Sequence, residues 1–338
     1  MNYRVNIYIV LFCCLVVFSC SKEDTPNNDN CLIIYPAMAN MTKSIVDNSN
    51  IISKEIGVQI TNEVGNAIYP TGSYQNLSLK NVTSIWKFYS SSIETPVVLS
   101  ALNAKIYAIY PYSSSIGSIK SIGNASYSEL VLGSEVQNSA QIDYLWGAQT
   151  ETQKGNLIPI NKTNHKVILN MQHILSSFAL VIYRDGYVGA GNISKVEIVQ
   201  KDSTKIFKVR NGSNYIKVNM SNGDIYGGGT SSFFKITNLT VNIPAGSTTH
   251  PGYDIETLKN MINCNILFPP IGSIDKSKLS FKITIDGVTL STPSIGAGIL
   301  DVKKGFSYFF ILKLNNASIG VSGITPWVDY NQNIISGF

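Results

Sequence analysis

Charged residues are scarce in this sequence. Only 14% of the 338 residues are Asp, Glu, Lys or Arg, whereas about 25% is usual for soluble domains. The formal net charge is +5, and the Lys and Arg residues are spread along the chain without a cluster. A nucleic-acid-binding surface needs such a cluster. The composition therefore predicts no nucleic-acid partner.

Histidine is also rare, and its three positions are His165, His173 and His250. Neither an HExxH motif nor a Gly-x-Ser-x-Gly elbow occurs, and the carboxylates are scattered rather than paired. Metalloprotease, α/β-hydrolase and glycosidase chemistry are thus unsupported. His173 lies beside an apolar run, where a hydrogen-bonded structural histidine is commoner than a catalytic one. The sequence predicts no enzyme, no cofactor and no metal site.

Cysteine is used sparingly. Of the five cysteines, Cys13, Cys14 and Cys20 lie near the amino terminus, which leaves Cys31 and Cys264 in the body. Two cysteines this far apart predict neither a disulfide framework nor a zinc site. They could pair in an oxidising compartment, but two buried free thiols are the expected arrangement.

One apolar run stands at the start of the chain, from Ile7 to Phe18 behind Arg4. At about 1.5 Å per residue it is too short to span about 30 Å of hydrocarbon. Residues 1–19 are therefore predicted to be a signal peptide. The residues that end this segment, Val17-Phe18-Ser19-Cys20, resemble a lipobox and predict that Cys20 carries a lipid. An ordinary signal peptide with an incidental cysteine is the alternative.

Residues 20–30 are polar and are predicted to form a flexible tether. The lipid is then the only expected contact with a membrane. Ser21 to Asp24 (SKED) resembles the signal that carries some lipoproteins to the outer face of the outer membrane. The expected location is the cell surface.

The body is rich in short runs of alternating or β-branched residues, bounded by Gly, Pro, Asn, Asp or Ser. Such runs predict strands. Asp286-Gly287 between two of them predicts a hairpin with a type I′ turn, and only Ile255 to Ile262 favours a short helix. We expect an all-β chain of two β-sandwich domains, residues 31–172 and 173–338. The predicted strands are Ile56–Ile60, Ile106–Tyr110, Lys166–Leu169, Phe178–Tyr183, Val196–Val199, Ile206–Val209, Leu239–Ile243, Leu279–Ile285, Val288–Leu290 and Ser307–Leu314.

Several segments, in this order, resemble a known family. Tyr107-Ala-Ile-Tyr-Pro-Tyr112 is similar to the Tyr-Pro-Tyr strand of fimbrillins, and Asp143-Tyr-Leu-Trp-Gly147 is similar to their Asp-x-Leu-aromatic-small segment. An apolar strand, Val167 to Met171, then leads into His173 and a second apolar strand. Gly305 to Leu314, followed by Ile319-Gly-Val321 and Ile324-Thr-Pro-Trp327, resembles a fimbrillin carboxyl end. The order and spacing of these pieces predict that the chain is a fimbrillin.

The resemblance implies two tandem transthyretin-like β-sandwich domains with Greek-key connections. It also implies a structural subunit of adhesive surface fimbriae, in the shaft, the tip or the anchor, assembled by donor-strand exchange. In such subunits a trypsin-like protease removes the first strand, and a segment of another subunit fills the groove by β-augmentation. The implied partners are other fimbrial subunits, that protease, and a ligand on a host or bacterial surface.

The same resemblance assigns roles to particular residues. The candidate leader strand is Cys31 to Tyr35, with Leu32, Ile33 and Ile34 between them. Lys43 lies where the family has its cut site, and Lys54 is the second candidate. The candidate donor segment is Ile324 to Phe338, with the apolar residues Val328, Ile334 and Phe338.

An alternative function is a surface-anchored lipoprotein that binds a glycan or a host molecule and never polymerises. Its binding surface would be an exposed aromatic platform. The competing expectation is that alternate aromatic residues on strands fill a core. The residues in question are Trp86, Tyr107, Tyr110, Tyr112 and Trp146.

Overall fold

The computed structural model describes residues 30–38, 51–62, 69–72, 74–122, 125–130, 136–137, 141–149 and 159–327. Strands dominate these residues. The first eleven are β1 (Ile33–Met38), β2 (Glu55–Asn62), β3 (Leu77–Val82), β4 (Ile85–Ser90), β5 (Ile93–Glu94), β6 (Ala104–Tyr110), β7 (Ile119–Ile122), β8 (Ala125–Leu130), β9 (Val136–Gln137), β10 (Leu145–Gln149) and β11 (Lys166–His173).

Fourteen more strands, β12 to β25, follow. The other elements among the described residues are one short α-helix, α1 (Ile255–Asn260), and two 3₁₀ turns, Ile51–Ser53 and Lys276–Lys278. The later strands are β12 (Ser176–Arg184), β13 (Asn192–Gln200), β14 (Phe207–Val209), β15 (Ile216–Asn219), β16 (Ile225–Gly227), β17 (Gly229–Ser231), β18 (Phe233–Asn242), β19 (Cys264–Phe268), β20 (Gly272–Asp275), β21 (Leu279–Ile285), β22 (Val288–Ser291), β23 (Ile299–Val302), β24 (Ser307–Leu314) and β25 (Ile319–Trp327).

The all-β prediction is confirmed, and each predicted strand lies within or overlaps an observed one. The predicted hairpin at Asp286-Gly287 is also present, since β21 and β22 pair antiparallel on either side of it. Both turn residues have positive φ (48° and 82°), as a type I′ turn requires. The predicted helix at Ile255 to Ile262 is α1, which ends two residues earlier, at Asn260. Its N-cap is Asp254, whose carboxylate accepts the Thr257 N–H at 2.8 Å.

The first half of the chain is built on one eight-stranded sheet, in the order β1-β11-β10-β6-β2-β3-β4-β5. This sheet curls, so that β1 comes close to β4 although five strands separate them in the ladder. The inward side chains of seven of its strands form one buried cluster. The sheet therefore encloses its own core.

The second half is a sandwich of two sheets, β19-β12-β24-β25 and β22-β21-β13-β18-β9. Its centre is β12, which is buried along its whole length. Phe178, Leu180 and Ile182 point into the core between the sheets. Ala179 and Val181 face the other way, under α1. Burial on both faces explains why this strand is a continuous apolar run rather than an alternating one.

The two halves share strands at their junction. The hairpin β7–β8 pairs with β15–β16 in a four-stranded sheet, and β9 pairs parallel with β18. The first sheet ends with β11 at His173, and β12 opens the second half at Ser176. Strands from before residues 172 and 173 thus pair with strands from after them. The predicted division into two domains at these residues stays a prediction.

No helix among the described residues is long and apolar enough to cross a membrane. The signal segment, Cys20 and the tether up to residue 29 lie outside the residues that the structure describes.

Both body cysteines are free thiols, as predicted. Cys264 is buried, and burial raises the pKa of its thiol to about 12. Cys31 is only half-buried, contrary to the expectation of two buried thiols, and it lies two residues before the edge strand β1. Partial burial also raises its pKa.

We predict that the two thiols react at very different rates. In residues 21–338 at pH 8, Cys31 should be alkylated in the native state, and Cys264 should react only after denaturation, because the thiolate is the reactive form. The measurement is mass spectrometry of iodoacetamide-treated protein, with Cys31→Ser as the control that isolates Cys264. Rapid native labelling of that variant would contradict the burial of Cys264.

We also predict that the two faces of β1 contribute unequally to stability. Ile34 is fully buried, whereas the neighbouring Tyr35 is 48% exposed. Ile34→Ala should lower the free energy of unfolding by about 2–5 kcal/mol, and Tyr35→Ala by about 0.5 kcal/mol or less. Urea unfolding of both variants measures the difference. Equal effects would contradict the observed orientation of the strand.

Candidate functional site

The segment predicted as a leader strand is an edge strand of the first sheet. β1 pairs parallel with β11, from Ile33 opposite Lys166 to Met38 opposite Met171. The predicted segment began at Cys31, which instead forms an isolated bridge with Val98. The strand is thus held on two sides.

Backbone hydrogen bonds show how the two sides are used. On one side, the Ile33 N–H donates to the His165 carbonyl at 2.9 Å. On the other side, the Leu32 N–H donates to the Val97 carbonyl at 2.8 Å, and the Leu99 N–H donates to the Asn30 carbonyl at 2.9 Å. If β1 left, the backbone groups of β11 and of residues 97–99 would lose their partners.

Alternate side chains of this segment enter the core of the first half. Leu32, Ile34 and Met38 are at most 5% exposed. They pack in one cluster with the inward residues of β11, which are Val167, Leu169 and Met171. Burial of each such side chain is worth about 1.5–3 kcal/mol. Removal of β1 would therefore open an apolar groove along β11.

The structure describes only one of the two predicted cut sites. Lys43 lies outside the described residues. Lys54 is half-buried between the Ile51–Ser53 turn and β2, and its N–H donates to the Ile51 carbonyl at 2.9 Å. A cut there would also fall directly against Glu55, which pairs with Lys80. This geometry favours Lys43 over Lys54, and both remain predictions.

The structure describes only the first residues of the predicted donor segment. Its first residues belong to β25, where Ile324 pairs with Phe310 and Pro326 with Tyr308. Val328, Ile334 and Phe338 lie outside the described residues. Residues 324–327 of the segment are therefore already paired within the chain, and a donor role for residues 328–338 stays a prediction.

His173 has the structural role that the sequence predicts. Its Nδ1 lies 2.8 Å from Oδ1 of Asp143, and both side chains are at most 4% exposed. The neighbouring Tyr110 has a raised pKa because of burial and, secondly, the negative charge of Asp143. The pair joins the Asp143 segment to the end of β11, where Leu145 pairs with His173.

The aromatic residues do not form an open platform. Trp86 is half-buried and packs on the core of the first half. Trp146 is half-buried at the junction, where its indole N–H donates to the Met220 carbonyl at 2.9 Å. Tyr107 and Tyr110 pack against buried clusters. These four rings are half-buried and pack against cores, which agrees better with the core expectation than with an exposed platform.

Sequence reasoning missed the second wall of the groove. Residues 97–99 hold the start of the leader segment, yet the sequence alone assigned them no role. The apolar run Val97-Val98-Leu99 after Pro96 was a signal for a strand-like segment. Within the described residues there is no cluster of His, Cys, Asp and Glu that could hold a metal ion.

Comparison with known proteins gives one family and one fold. A family model described as fimbrillin-like matches residues 42–327. No curated protein matches the sequence.

Solved structures from three Bacteroides species are similar. A candidate cell adhesion protein from Bacteroides ovatus is 14% identical, with a TM-score of 0.55 over 89% of this chain and 99% of its own. One from Bacteroides uniformis is 15% identical, with a TM-score of 0.52 over 88% and 98%. A fimbrial protein from Bacteroides vulgatus is 13% identical, with a TM-score of 0.51 over 88% and 99%. Similarity at this level of identity shows the fold, and the family model covers most of the chain, so this protein belongs to the fimbrillin-like family.

Proposed function

We propose that the protein is a structural subunit of cell-surface fimbriae, assembled by protease-triggered donor-strand exchange and serving adhesion. The single observation that carries the proposal is the placement of β1. It is an edge strand that, together with Leu32 just before it, fills an apolar groove with three buried side chains, Leu32, Ile34 and Met38. Family membership and the described fimbrial and cell adhesion neighbours support the same role.

The first step of the proposed mechanism is cleavage behind β1. Lys43 follows β1 in the chain and precedes β2, so a trypsin-like cut after it would separate the leader from the body. Because Cys31 and Cys264 are free, no disulfide ties the leader to the second half. The leader can then depart once a competing strand takes its place.

The second step is replacement of the leader. An empty groove would leave apolar side chains and β11 backbone groups without partners, and both make refilling favourable. A strand from another subunit can restore the ladder and the core together. We assign the donor to residues 328–338, with Val328, Ile334 and Phe338 as its apolar residues.

The proposed location follows from the amino terminus. Cys20 would carry the lipid, and residues 20–30 would hold the body away from the outer membrane surface. Cleavage after Lys43 would free the body from that anchor. The halves on either side of residues 172 and 173 would form the two domains of the subunit.

The cleavage step predicts a specific product. Limited trypsin digestion of residues 21–338 should give one early cut after Lys43, and the stable body should form a ladder on unheated gels. Lys43→Ala should prevent both the cut and the ladder, and Lys54→Ala should change neither. Mass spectrometry identifies the cut. A ladder from the Lys43→Ala variant would contradict the proposal, and loss of the cut in the Lys54→Ala variant would move the site to Lys54.

The donor assignment makes a separate prediction. A chain that ends at Trp327 should be cut after Lys43 as before but should form no ladder, because it has no donor. Replacing Val328, Ile334 and Phe338 together with Ser should have the same effect, since polar side chains would not enter an apolar groove. Replacing Asp329, Asn331 and Asn333 with Ser is the matched control. A persistent ladder in the truncated chain would show that the donor lies elsewhere.

A further inference from the structure

A sheet edge can accept a foreign strand only where its outward N–H and C=O groups are available. Among the described residues, β25 is the longest edge strand, and two other edge strands, one at the groove and one at the junction, are long enough to offer such a ladder. They are β1, with six residues, and β19, with five. Each has a residue placed where it interrupts that ladder.

The interrupting residue on β1 is Pro36. Ile33 bonds to β11, and Leu32 bonds to Val97 on the opposite side, so neighbouring residues face opposite ways. The even-numbered residues of the strand therefore face away from β11. Pro36 falls on that outer side, where it has no N–H to donate.

The start of the same outer side is already occupied. Residues 97–99 accept from Leu32 and donate to Asn30. A further strand on β1 would thus meet this segment at one end and Pro36 at the other. Ile34 lies between these two obstacles, so a continuous ladder cannot form there.

The interrupting residue on β19 is Gln141. Its side-chain amide donates to the Asn265 carbonyl at 2.6 Å, and its amide oxygen accepts the Leu267 N–H at 2.6 Å. One carboxamide thus makes both bonds that the backbone of a neighbouring strand would make. It occupies the middle of the β19 edge, on the side away from β12.

We propose that Pro36 and Gln141 restrict strand addition, by closing the outer edges of β1 and β19 to the strand of a second copy. The β11 edge then becomes the acceptor only after β1 has left. The inference extends the proposed function, since it takes the entering strand to come from another copy. It concerns the uncut chain, in which the leader is still present.

The test measures self-association of uncut residues 21–338. The variants are Pro36→Val, which restores the N–H, and Gln141→Ala, which frees Asn265 and Leu267. Each should lower the dissociation constant of a dimer at least about tenfold, or about 1.4 kcal/mol, as measured by light scattering after size exclusion. The wild type should stay monomeric at the same concentrations.

Two control variants remove similar groups away from these edges. Pro251→Val changes a loop proline next to His250. Asn315→Ala removes a side chain that accepts two backbone N–H groups in the turn before β25. Both should remain as monomeric as the wild type.

Hydrogen exchange distinguishes strand addition from non-specific aggregation. In the Gln141→Ala dimer the β19 amides should exchange more slowly than in its monomer, and in the Pro36→Val dimer the β1 amides should do so. Dimers without this protection, or two monomeric variants, would overturn the proposal. If only one variant associated, the proposal would hold for that residue and be overturned for the other.

The outcome is independent of the donor-strand test. Associating variants with no ladder from the cut wild-type chain would support the edge closures and contradict the proposed function. A ladder from the cut wild-type chain, together with uncut variants that stay monomeric, would support the proposed function and contradict the edge closures.

Discussion

β1 is bound by β11, and the residues just before it are bound by residues 97–99, while Leu32, Ile34 and Met38 fill the core beneath. The first half of the molecule depends on this contact, because its single curled sheet closes where β1 approaches β4. An edge strand at the start of a chain can leave without breaking another strand's connection. The same contact therefore completes the fold and, in the proposed mechanism, leaves a groove for another strand once β1 departs.

The junction of the two halves is a different kind of contact. Side chains from both halves form one buried cluster there, and among the described residues none of its members belongs to β1. Trp146 and Gln141 add hydrogen bonds from the first half to the backbone of the second. Loss of the leader would thus expose the groove without removing the contacts that join the halves. A subunit in a polymer needs both properties.

The closed edges agree with this division of roles. β-rich proteins must prevent unwanted pairing of their edge strands. Here a proline and a side-chain amide act at two edges, whereas β11 is covered by a strand that the chain itself supplies. In the proposed mechanism β11 is covered only until β1 is removed, whereas the proline and the side-chain amide stay in place at their edges. This difference would decide which edge takes part in assembly.

Local sequence determined the strands and the family. Alternation of apolar residues placed β2, β6 and β24, Asp286-Gly287 specified a hairpin, and the fimbrillin-like segments appeared in order. These features depend on neighbouring residues and can be read along the chain. The sequence also predicted a leader strand at Cys31 to Tyr35, which begins two residues before the observed β1 and overlaps it, while its role as a leader stays a prediction.

Only the tertiary structure decided what that segment touches. Its partners, Val97, His165 and β11, lie far away in the sequence, and no local pattern specifies which strands pair or in which register. The same holds for the Gln141 amide on β19 and for the shared sheet of β7, β8, β15 and β16. These contacts arise because the curled sheet and the sandwich each bury a particular face, and burial of those faces brings distant residues together.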